Sequence, residues 1–251
     1  MCRASRWALI LFQILVFGTR GAAQPGSEYR ASSFVKNIGI DQTDSVCAGE
    51  FVPEDSAWLT LTYFLPAILR DKGALEDYIR DPRFQALRHE CGDTLAVDVI
   101  FERAVQIADG SFGQALLVAT LATFDHFRLG VILPLLGTIS FPLTFESRTG
   151  YNQRYSHLPR RILPDSIGRS RRDRDKLQHF FGSAYLTYVF NSKSVAQSLG
   201  NFIEWGEPRF VVGGDYDERD KYANRLGQEF GMRLLNGDEV IPSDVLWGMR
   251  N

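Results

Sequence analysis

Three polar sets interrupt otherwise apolar sequence between Asp175 and Gly231. They read Asp175-Lys176-x-x-His179, Gly200-x-x-x-Glu204 and Asp220-x-x-Ala223-Asn224-x-x-Gly227-x-x-x-Gly231. A helix stacks residues four apart on one face, so Asp175 lies over His179 and Asp220 over Asn224. Helices that bring these faces to Glu204 would build one small polar site from Asp175, His179, Glu204, Asp220 and Asn224. Such a set supports three chemistries. Asp175, His179 and Glu204, with Asp217 or Asp220, offer the mixed carboxylate and imidazole ligation that suits zinc or another first-row divalent metal. The same groups without metal make an acid/base pair, His179 oriented by a carboxylate. A structural network also satisfies them: Asp175 stands where a helix N-cap is needed, and a buried His179 can hydrogen-bond Glu204 across two helices. The residues leave the three open, and no cofactor is expected beyond the divalent metal of the first.

The motifs resemble the signature of VanZ-like proteins, and equally that of YfiM-type small periplasmic proteins and lipoproteins. The shared features are Asp-Lys-x-x-His at Asp175 to His179, a Glu on a Gly-started helix at Glu204, and Asp-x-x-Ala-Asn-x-x-Gly at Asp220 to Gly227. The resemblance covers residues 173–235. It implies a bacterial cell-envelope protein with a helical core and brings no settled reaction with it. The chain departs from the VanZ pattern in one respect, because the apolar stretch Phe180 to Phe190 is too short to span a bilayer.

Other motifs carry less. Asp215-x-Asp217-x-x-Asp220 follows Gly213-Gly214 but lacks the loop spacing and terminal Glu of an EF-hand. No Ser/His/Asp elbow, phosphate loop or dinucleotide fingerprint is present. His89, His126 and His157 are isolated, and only His126, beside Asp125, has an adjacent carboxylate. Gly227 and Gly231 lack the membrane setting in which their spacing is diagnostic. They are expected to admit close packing against the His179 helix.

The elements that must position these residues follow from the chain in order. Arg3 and Arg6, the apolar run Trp7 to Phe17, and Gly21-Ala22-Ala23 before Gln24 have the layout of a secretory signal over residues 1–23. The roughly 230 residues that follow are enough for one domain or two small ones with a real core. A formal charge of −2 gives no electrostatic reason to expect nucleic acid as a partner. Export leaves two cysteines, Cys47 and Cys91, whose simplest state in an oxidising compartment is one disulfide. Closing a loop of roughly 44 residues is worth about 4 kcal/mol in the chain-entropy model.

Residues 24–55 read as an extended N-terminal arm, and residues 56–145 as an N-terminal helical region. The first helix is expected from Asp55 to Lys72, ended by Gly73, with Pro66 kinking it. A second runs from Leu75 to His89, split near Pro82. Thr94 to Asp109 is the clearest amphipathic helix, closed by Gly110. Ser111 caps the next, Gln114 to about Phe127. Leu129 to Phe145 is apolar but broken by Pro134, Gly137 and Pro142. It reads as a connector against the core or a membrane surface, since spanning would place Asp125, His126 and Arg128 in hydrocarbon. Residues 146–174 read as an exposed, Arg-rich linker. There Arg160, Arg161, Arg169, Arg171, Arg172 and Arg174 could meet anionic headgroups of a membrane surface. Residues 175–251 form the C-terminal helical region that carries the motifs. The expected fold is mainly α, a bundle of about seven helices with an irregular N-terminal arm. The leading functional expectation is an exported envelope protein of structural or interaction type. The alternative is a metal-dependent or acid/base hydrolase of envelope lipid or glycan.

Overall fold

The computed structural model describes residues 46–53, 66–133, 137–166, 173–198 and 217–247. The expected signal segment, most of the expected N-terminal arm, Glu204, Asp215, Arg169, Arg171 and Arg172 lie outside the described residues. The fold is mainly helical. In chain order the elements are α1 (Ala67–Arg80), α2 (Pro82–Cys91), α3 (Asp93–Ile107), α4 (Phe112–Ala122), β1 (Arg128–Leu133), β2 (Gly137–Pro142), α5 (Arg148–His157), α6 (Arg174–Phe190), α7 (Glu218–Leu235) and α8 (Pro242–Leu246). A 3-10 turn covers Pro164–Ser166.

Helix α1 begins after Pro66 and runs straight through Gly73, where a break was expected. A mid-helix glycine costs only about 1 kcal/mol against alanine, and Leu75, Tyr78 and Ile79, all fully buried beyond it, more than offset that. The split expected near Pro82 is present: α1 ends at Arg80 and Pro82 starts α2, where its missing N–H is harmless, and Asp81 caps α2 by accepting from the Arg83 N–H at 2.9 Å. Helix α3 falls where its apolar stripe placed it, burying Val97, Ile100, Phe101, Ala104 and Val105. Gly110, at φ 85°, turns the chain after it. The Ser111 hydroxyl then accepts from the Gln114 N–H to cap α4.

The region expected to be helical up to residue 145 contains instead an antiparallel hairpin, Arg128 paired with Pro142 through Leu133 paired with Gly137. Its content explains the difference: Val131, Ile132, Thr138 and Ile139 are β-branched, and the sequence includes Pro134 and Gly137, residue types that favour turns. The described parts of the expected linker, residues 146–166 and 173–174, are likewise not a solvated loop. Ser147 accepts from the Gly150 N–H at 3.1 Å to start α5, and Tyr151, Arg154, His157, Leu158, Ile162 and Leu163 are buried. The Arg88 guanidinium closes the far end of α5, donating to the carbonyls of Ser156 (3.0 Å), His157 (2.7 Å) and Leu158 (2.8 Å). Arginines at this end of a helix satisfy its orphan carbonyls, so the count of charges misled where the geometry was buried.

The core is one cluster shared by the helices. Its centre is aromatic: Phe230 of α7 meets Phe101 of α3 edge-on at 5.0 Å and stacks on Phe180 of α6 at 5.4 Å. The segment 46–53 straps across α1 and α2. Cys47 is disulfide-bonded to Cys91 with Cα atoms 5.9 Å apart. Tyr78 donates to the Gly49 carbonyl at 2.7 Å and stacks on Phe51 at 4.4 Å. Among the described residues, no helix is long and apolar enough to cross a membrane.

Candidate functional site

Helices α6 and α7 create the site. Their contacts advance together along both chains: Lys176 meets Asp217 and Asp220, Ser183 meets Asn224, and Gly231 lies against Ala184. The two helices therefore run parallel with their N-termini side by side. Gly227 and Gly231 make the approach possible, because a methyl group on either would fall on the backbone of Phe180 or Ala184. The glycines act in tight packing, as their spacing led us to expect.

Two parallel N-termini place two partial positive charges together, roughly half a unit each. Three carboxylates gather there: Asp175 in the first turn of α6, Asp217 at the N-cap of α7, and Asp220 in its first turn. Their oxygens lie within 4.8 Å of one another, a spacing that suits a metal ion. The centre of the cage is held by Lys176. Its ammonium donates to Asp175 Oδ2 at 2.5 Å, Asp217 Oδ2 at 2.9 Å and Asp220 Oδ1 at 2.5 Å. The Lys176 side chain is 2% exposed, against 37% for Asp175 and 27% for Asp217. Burial alone would favour the neutral amine. Hydrogen bonds to Asp175, Asp220 and Asp217 overcome it and hold the ammonium well above the usual lysine range. Asp175 moves the opposite way from a paired carboxylate. Burial pushes it up, Lys176 pulls it back, and Asp220 and Asp125 add repulsion.

His179 follows one turn along α6, with Nε2 3.3 Å from Asp220 Oδ1. One turn further, the Ser183 hydroxyl donates to Asn224 Oδ1 at 2.8 Å. The structure thus brings Asp175, His179, Asp217 and Asp220 together and places Asn224 along the same seam. Lys176 was legible in the motif only as spacing. The available signal was a lysine between Asp175 and Leu177 on a helix whose neighbours are apolar, a charge that burial must pair. Asp175 is not the helix cap that a structural reading allows. Asp173 occupies that position, and its side chain turns away from α6.

Asp173 anchors the approach to the site. Fully buried, it accepts through Oδ2 from the N–H groups of Ile162 (3.1 Å) and Leu163 (3.2 Å) and from the Ser166 hydroxyl. Its Oδ1 accepts from Arg219 of α7 at 2.6 Å. Arg174, expected among the membrane-facing arginines, is instead 3% exposed and lies over the Tyr155 ring at 4.3 Å. Arg160 is half-buried and donates to the Ser156 carbonyl at 3.2 Å, while Arg161 is exposed.

A second polar network, on the far side of α4, was not anticipated. Glu76 accepts from Lys72 at 2.6 Å and from Thr144 at 3.1 Å. Glu146 accepts from Arg154 Nε at 2.9 Å and from Arg80 at 2.8 Å. Arg154, 0% exposed, also donates to the Ala122 carbonyl at 2.7 Å, and so joins α5 to the end of α4. His157 is buried beside it and donates from Nδ1 to the Ile79 carbonyl at 2.9 Å. Burial depresses its proton affinity and keeps the ring neutral. His126 Nδ1 stands 2.6 Å from Asp125 Oδ1, with its ring exposed.

No protein-family model, curated protein or solved structure matches the chain.

Proposed function

We propose that the protein is an exported component of the bacterial cell envelope, of structural or interaction type, in which the polar cluster fixes the pairing of α6 with α7. The VanZ-like motifs support the compartment, and the Cys47–Cys91 disulfide accords with it. One observation carries the structural role: the Lys176 ammonium fills the centre of the Asp175, Asp217, Asp220 cage. An internal cation there, with two helix N-termini behind it, offsets about two of the three negative charges. A divalent ion would have to displace a buried ammonium bonded to all three.

A second reading rests on a separate feature. Asp175 and Asp217 are partly open to solvent, and His179 lies beside Asp220. In a hydrolase of envelope lipid or glycan, Asp175, Asp217, Asp220 and His179 would hold a zinc or manganese ion, with Lys176 swung aside. Equilibrium titration of the purified mature protein with zinc and manganese separates the two. The structural reading predicts no stoichiometric uptake, together with a lowered melting temperature for His179→Ala. Tight, one-to-one metal binding that disappears in His179→Ala would overturn it.

A further inference from the structure

Helix α3 carries two buried acids that the α6–α7 site does not use. Asp98 and Glu102 are one turn apart on the same face, 2% and 6% exposed. Asp98 reaches across to the C-terminal segment, where its Oδ1 accepts the Ser243 N–H at 2.7 Å and so caps α8 from another helix. Among the described residues, no hydrogen bond or ion pair engages the Glu102 carboxylate. The titratable groups around the pair are Glu50 of the strap, Tyr78 of α1 and Asp244 of α8. The Arg103 guanidinium lies over the Tyr78 ring at 5.5 Å and acts on that phenol, while among the described residues no cation offsets the charge of Asp98 or Glu102 themselves. Helix α4, also packed on α3, carries no titratable residue.

Two ionised carboxylates cannot be held this way without cost. Each loses its hydration, and they repel one another and the acids beside them. A proton on one removes the repulsion and leaves the other free to accept from Ser243. We infer that Asp98 and Glu102 form a proton-sensitive clamp, which holds the strap, α3 and α8 together when it carries a proton and loosens α8 when it is lost.

The direction follows from burial. Desolvation, opposed at Asp98 by the Ser243 hydrogen bonds and joined at Glu102 by repulsion from Glu50 and Asp98, pushes both acids up to about 7. Released into water they return to about 4. A group whose folded value is raised stabilises the docked form fully below the unfolded value, and that contribution is lost as pH rises through about 7. The opening constant of α8 should therefore climb about tenfold per pH unit for each of the two acids that opening hydrates, through the mildly acidic range, and level off above about pH 8.

Hydrogen exchange of the mature full-length protein tests this, read in peptides covering residues 240–247 and corrected for intrinsic rates across that range. Peptides from α6 serve as the internal reference. The expected result is a climb in α8 that is steeper than in α6, and that flattens in Glu102→Gln, in Asp98→Asn or in both. Flattening in one variant alone assigns the proton to that residue. Both replacements keep the shape, and the amide introduced by Asp98→Asn retains an oxygen to accept from Ser243. Exchange in α8 that is independent of pH, that climbs no faster than in α6, or that climbs unchanged in both variants would overturn the clamp.

Discussion

Asp173 shows how much one carboxylate can organise. Its two oxygens take two backbone N–H groups, the Ser166 hydroxyl and the Arg219 guanidinium, joining the turn before α6 to the first turn of α7. Asp173→Asn replaces one acceptor oxygen with a donor that must face an N–H or a guanidinium. The expected loss is about 2 kcal/mol or more, measured by urea unfolding of wild type and variant under the same buffer. A variant as stable as wild type would mean that these bonds contribute nothing net. Asp173 was not legible in the sequence, because nothing in its spacing distinguishes it from the charges around it. The Asp175, His179 and Asp220 set was legible, since helical spacing alone aligns those side chains. Lys176 and Arg154 were hidden for a common reason. Charge suggests solvent, and only tertiary packing shows that each is buried among partners.

At the scale of elements, periodicity located α3 well from its broad apolar face, and Ser111 marked the start of α4, although α4 ends at Ala122 rather than near Phe127. Periodicity failed where a local breaker competes with packing. Gly73 was read as a stop, yet buried Leu75, Tyr78 and Ile79 carry α1 past it. The hairpin was missed because a short apolar run with proline and glycine fits a connector as well as two strands. The pairing of α6 with α7 makes a sharp prediction at this scale. Gly227→Ala places a methyl on the Phe180 carbonyl, and Gly231→Ala places one on that of Ala184. Each should cost about 1 to 3 kcal/mol by forcing the helices apart. Thermal unfolding checks it, and an unchanged or raised melting temperature in both variants would contradict the close approach.

For the whole molecule, the compartment is the open proposal. Export through the N-terminal signal predicts a secreted product that begins at or near Gln24 and holds the Cys47–Cys91 bridge. Intact mass with and without reductant reads both at once, and an intact N-terminus or two free thiols in periplasmic material would contradict it. The bridge should matter to stability as well, because a loop of 44 residues is worth about 4 kcal/mol in the chain-entropy model. The fold class was legible from composition and periodicity. The parallel running of α6 and α7 was not, since nothing in either helix states the direction of its neighbour. That direction is what gathers the N-termini and gives the acidic cage its reason to exist.

The central claim is that Lys176 locks α6 to α7 by filling that cage. A double-mutant cycle between Lys176→Met and Asp220→Asn, read by denaturant unfolding at neutral pH, tests it most directly. Lys176→Met alone leaves three clustered carboxylates without their cation and should cost about 3 kcal/mol. Part of that loss should return when Asp220 is also neutralised, giving a coupling of about 1 kcal/mol or more. The ammonium is held above the usual lysine range, so its contribution should be complete at neutral pH and fall away only in strong alkali, as the folded value is passed. Losses that simply add, or a Lys176→Met protein more stable than wild type, would contradict the account.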